Sequence, residues 1–95
     1  MPVIDWSDPA LRDLRRIDEW LTREASPEVS IRILMAIRER AGFLERFPHG
    51  GRPQADGTRI LRVFDTRYLI LYRLAGDVVQ VLRLHHERED WSLLP

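Results

Sequence analysis

An α+β domain is what this sequence predicts: an N-terminal strand and an antiparallel helical hairpin packed on one face of a mainly antiparallel sheet, in the order β-α-α-β-β-β. Three observations carry the prediction. Apolar residues recur every three or four positions over 10–46, and beyond Gly57 the period falls to two. Between the two regimes lies a nine-residue stretch, 49–57, that holds three glycines and a proline. With 95 residues, 44% of them apolar, the chain has material for one core, so residues 1–95 form a single domain.

Val3-Ile4-Asp5-Trp6 is a short apolar–polar stretch with strand character. Ser7-Asp8-Pro9 then starts a helix: Ser7 or Asp8 can cap it, and Pro9 sits in the first turn, where its missing N–H costs nothing. Ala10, Leu14, Ile17 and Leu21 form its apolar stripe, flanked by Leu11 and Trp20, and Arg12, Arg15, Arg16 and Glu19 take the opposite face. This helix runs to about Glu24. Ser26-Pro27-Glu28 repeats the start signal. Val29, Ile33, Ile37, Ala41 and Leu44 then line a second helix to about Arg46, and Ile31, Leu34 and Met35 widen its stripe towards a second contact. So short a connection folds the two helices antiparallel.

Phe47-Pro48 ends the second helix, and 49–57 is expected as a loop. Three β-rich runs follow, at 58–63, 67–74 and 78–85, separated by Asp65-Thr66 and Gly76-Asp77. Gly76-Asp77 suits a two-residue hairpin of type II′, with Ala75 opposite Val78. Strict alternation from that turn puts Tyr68, Ile70, Tyr72, Val79, Val81, Arg83 and His85 on one face. Arg67, Leu69, Leu71, Val78, Leu82 and Leu84 take the other. A three-residue turn would invert the last strand. Both faces carry apolar residues, while the two helices can cover only one. The second face therefore calls for a partner, unless Arg and Tyr stems cover it.

Composition excludes several chemistries. Fifteen basic residues balance fifteen acidic ones, which removes the positive excess of a general nucleic-acid binder. Without cysteine there is no disulfide, thiolate metal site or cysteine nucleophile. All fifteen basic residues are arginine, so no lysine serves as base or Schiff-base former. No basic–apolar leader opens the chain, and the longest apolar run is 68–72, so a cytoplasmic protein without a membrane span is expected. Ionisable groups gather late, at Arg83, His85, His86 and Arg88. Adjacent strand residues face opposite ways, so at most one histidine shares a site with Arg83, and the metal-binding spacings H-x-H and H-x-x-x-H are absent. Trp91 reads either as an anchor closing the C-terminus or as a stacking platform.

Taken in order, Phe47-Pro48, Gly51-Arg52-Pro53, Thr58-Arg59, Tyr68-Leu69-Ile70-Leu71-Tyr72-Arg73, Gly76-Asp77-Val78-Val79, Leu82-Arg83-Leu84-His85 and Arg88 with Trp91 resemble the RelE/ParE toxin superfamily. The likeness is to its ParE-like, plasmid-stabilisation branch and spans nearly the whole chain. It implies the RelE/ParE-like fold and the toxin half of a type II toxin–antitoxin pair. It also implies a ParD-like antitoxin as partner, in a hetero-oligomer that reaches DNA only through the antitoxin, with no membrane and no cofactor or metal. Antitoxin contact is expected at Val29, Ile33, Ile37, Tyr68, Tyr72 and Arg83, and target contact at Arg62, Arg88 and Trp91. ParE-like members poison DNA gyrase, whereas RelE-like members cleave mRNA on the ribosome. For the second activity the candidates are Arg62, Arg83, His85, His86 and Arg88. Trp91 stands where those nucleases usually carry tyrosine and has no proton to exchange, so gyrase is the expected target. A third reading is an inactive co-repressor that only binds its antitoxin.

Overall fold

The computed structural model describes residues 2–88. Both helix starts form as expected. The Ser7 hydroxyl accepts the Ala10 N–H at 3.2 Å and opens α1, Asp8–Glu24, while the Ser26 hydroxyl accepts the Val29 N–H at 3.1 Å and opens α2, Pro27–Phe43. The second helix ends three residues before the expected Arg46, in a turn where the Leu44 N–H donates to the Ala41 carbonyl. Ser30, fully buried, donates its hydroxyl to the Asp18 carboxylate and pins the two helices together.

Five strands are seen among the described residues: β1 Val3–Trp6, β2 Arg52–Pro53, β3 Arg59–Arg62, β4 Tyr68–Ala75 and β5 Val78–His86. They form one sheet in the order β1-β5-β4-β3-β2, with β1 parallel to β5 and every other pair antiparallel. The short β2 lies inside the stretch expected as loop. Tyr72 holds it there: its hydroxyl donates to the Pro48 carbonyl at 2.9 Å and accepts the Gly51 N–H at 2.8 Å. A Cβ on Gly51 would lie 2.6 Å from the Tyr72 ring, so only glycine allows this approach.

The β4–β5 hairpin corrects the expected faces. Ala75 does pair with Val78, and Gly76 has a φ of 60°, as the two-residue turn requires. Further along, Tyr72 pairs with Val81 but Leu71 pairs with Arg83, which leaves Leu82 as an extra residue in β5. This bulge inverts everything after it. Leu84 joins Ile70 on the helix-covered face, while Arg83 and His85 fall in register with Leu71 and Leu69 on the opposite one. The bulge lies where β1 ends. There Ser7 donates its N–H to the Val81 carbonyl and its hydroxyl to that of Leu82.

The core lies between the hairpin and the sheet: Leu14, Ile17 and Leu21 of α1, Ile37 and Ala41 of α2 and Leu44 just after it meet Ile70, Tyr72, Val79 and Val81. Each helix also places one side chain against a strand end that its neighbouring edge strand does not cover. The Asp13 carboxylate accepts the Leu84 N–H at 2.9 Å, beyond the reach of β1, and Arg40 Nε donates to the Arg62 carbonyl at 2.7 Å, beyond the reach of β2. Unpaired edges invite strand addition, and both contacts oppose it.

Candidate functional site

The expected ionisable cluster is split by the fold. Arg83 binds Asp13 through both arms, Nε to Oδ2 at 2.8 Å and Nη2 to Oδ1 at 3.2 Å, and Arg16 adds a third contact to Oδ1 at 2.9 Å. The Asp13 side chain is nearly buried and Arg83 about three-quarters so. Such a charge-assisted pair is structural in strength. His85 is 2% exposed, opposite Leu69, so its imidazole is not presented to solvent. His86 takes the other face, edge-on to Tyr68 at 5.4 Å. Arg62 is exposed on β3 and lies on the same sheet face as His85, the one turned away from the helices, one strand apart from it across Leu69.

Arg88 lines a groove of about 650 Å³ between α1 and the end of β5, together with Arg16, Arg23, Trp20, Tyr68 and His86. Trp91 lies outside the described residues. Among those described, no three His, Asp or Glu side chains come together to hold a metal, and no helix is long and apolar enough to cross a membrane.

Of the residues expected to contact the antitoxin, Arg83 is held by Asp13 and three others lie inside the fold. Ile37 and Tyr72 are fully buried and Tyr68 nearly so, all within the core, because they belong to the faces that hairpin and sheet turn towards each other. Val29 and Ile33 are partly buried against the same core. The apolar residues that α2 does present are Ile31 and Met35, one turn apart and both more than half exposed. On α1, Trp20 and Leu11 are exposed as well.

Two features were not anticipated from sequence. Asp13 is one: an acid three residues after Ala10, inside an apolar stripe, is a legible sign of a buried charge that needs partners. The other is a ladder of rings and a cation. Phe47 stacks on Phe43 with centroids 4.9 Å apart, and the Arg40 guanidinium lies 4.6 Å from the Phe43 centroid and 4.1 Å from that of Phe64. The spacing Arg40, Phe43, Phe47 is helical and could have shown half of it. Burial pulls the Arg40 pKa below its usual value, and burial raises that of Tyr72.

Against known proteins, the model of a family described as the ParE toxin of the type II toxin–antitoxin system parDE matches residues 4–91. Among solved structures, the chain is similar to one from the chromosomal ParDE toxin–antitoxin system of P. aeruginosa. That match has a TM-score of 0.84 at 25% identity, covering 90% of this chain and 96% of the other. It is also similar to one from the RelBE2 toxin–antitoxin complex of Mycobacterium tuberculosis, with a TM-score of 0.67 at 30% identity over 90% and 99% of the two chains. No curated protein matches.

Proposed function

The chain belongs to the ParE toxin family and is a toxin of the type II toxin–antitoxin class, and we propose that it arrests growth by poisoning DNA gyrase until a ParD-like antitoxin neutralises it. One observation carries the choice of target. RNA cleavage by 2′-OH attack needs a base, an acid and phosphate-binding cations within hydrogen-bond reach of one another. Here Arg83 is bound to Asp13, His85 is buried, and His86 lies on the far side of the sheet from Arg62. Binding to a protein target needs none of that convergence, only a complementary surface.

Cleavage of mRNA stands as the second reading because Arg62 and His85 do share one sheet face and because a RelBE2 structure is similar. The antitoxin seat is the outer face of the helical hairpin, with Ile31 and Met35 as its exposed anchors and Val29 and Ile33 at its margin. A stable complex of this kind buries on the order of 1,200–2,000 Å². Induction of the chain alone tests the reading. Filamentous cells with DNA damage are expected, relieved by co-expression of a cognate ParD-like antitoxin. An immediate stop in translation would favour mRNA cleavage, and unaffected growth would favour a co-repressor without toxicity.

A further inference from the structure

We infer that the surface by which this toxin holds its target is the hollow between the β3–β4 turn and the sheet face turned away from the helices, built to take an acidic protein segment with an apolar anchor. The inference rests on the gyrase reading and adds to it the place and chemistry of contact.

Phe64 is the central observation. It stands on the turn between β3 and β4 and is 66% exposed. Its position is nevertheless fixed. Asp65 adopts a φ of 60°, the Thr66 hydroxyl donates to the Val63 carbonyl at 2.8 Å, and the same oxygen accepts the Tyr68 N–H at 3.1 Å. Arg40 then grips the ring from below, stacked on Phe43 and tied to the Arg62 carbonyl. Arg40 packs on the Phe64 ring, and about two-thirds of the residue is still exposed. An aromatic side chain held rigid before binding loses little rotamer entropy when a partner arrives.

The surroundings define that partner. Ile60 and Leu69 form part of an apolar floor, and the hollow measures about 500 Å³, room for a few side chains. Arg52 and Arg62 stand on its rim, and among the described residues neither guanidinium has an ion pair or hydrogen bond. The acid that also lines the hollow, Glu87, is taken by Arg67 at 3.0 Å. A chain of zero net charge thus presents unpaired positive charge around an apolar socket here. A nucleic-acid backbone would want a longer row of cations and no aliphatic floor. Carboxylates flanking an aliphatic or aromatic side chain match both features.

Two variants test this: Phe64→Ser, and the charge reversal Arg52→Glu with Arg62→Glu, which leaves the ladder intact. Arg12→Glu, on the far side of α1, is the control. Melting curves and capture by the antitoxin establish that each variant folds. The expected result is at least tenfold weaker gyrase inhibition by both patch variants, unchanged antitoxin capture, and a control like wild type. Patch variants that inhibit gyrase as wild type does would overturn the inference while leaving the gyrase reading intact. If wild type spares gyrase yet arrests growth, the gyrase reading falls and growth decides the patch: arrest lost in both variants keeps it, arrest retained removes it. Binding of wild type to linear DNA without gyrase, lost in the charge reversal, would make the partner nucleic acid and overturn the assignment. A wild type harmless to cells and gyrase overturns both.

Discussion

Asp13 sits between Ala10 and Leu14 on the buried side of α1, and its two oxygens take hydrogen bonds from Arg16, Arg83 and the Leu84 N–H. Removing the carboxylate would take both Asp13 contacts from a partly buried guanidinium and leave the buried Leu84 N–H without its acceptor. Asp13→Ala should therefore lower stability by about 3 kcal/mol, and Asp13→Asn by less because it keeps an acceptor; urea melts of the three proteins would show the order. Tyr72 gives a second prediction. Phe in its place loses both hydrogen bonds that hold the 48–51 segment, costing about 1–3 kcal/mol. Burial raises the Tyr72 pKa, so the folded state favours the neutral phenol. Its contribution is complete below the unfolded value of about 10 and is lost as pH climbs through the higher folded value. Stability measured from pH 8 to 12 should fall less steeply in Tyr72→Phe. The role of Tyr72 was not apparent from sequence: it read as a strand residue that meets the antitoxin, and its hydroxyl acquires partners only once residues more than twenty positions away are brought beside it.

At the level of elements, what was legible followed from local chemistry. A serine cap with proline one or two residues later starts each helix, Gly76-Asp77 makes the hairpin, and the change of period separates hairpin from sheet, since each signal is contained within a few residues. The bulge at Leu82 was not legible, because an extra residue in a strand alters no periodicity until its partner strand is known. It moved Arg83 and His85 to the other face, and with them the expected site. Strand β2 escaped notice for a similar reason: two residues carry no alternation. The second helix showed a broad apolar stripe, but only packing decides that Ile37 is inside while Ile31 and Met35 are out. That division is testable. The double substitution Ile31→Ser with Met35→Ser should leave stability within about 0.5 kcal/mol per site and weaken antitoxin binding at least tenfold by calorimetry. Full antitoxin affinity in this variant would move the seat elsewhere.

Across the described residues, each helix places one side chain on a backbone group of β5 or β3, and the arginines nearest the candidate chemistry are divided between a structural pair and an exposed surface. That division favours a protein that acts by occupying its target over one that cleaves it. The most direct measurement pairs two reactions with one preparation of purified toxin: gyrase with supercoiled plasmid, and ribosomes carrying a defined mRNA. The expected outcome is trapped, cleaved plasmid at toxin concentrations that leave the mRNA whole, with His85→Ala no weaker than wild type once its folding is verified. Cut mRNA beside unaffected gyrase, abolished by His85→Ala, would contradict the account.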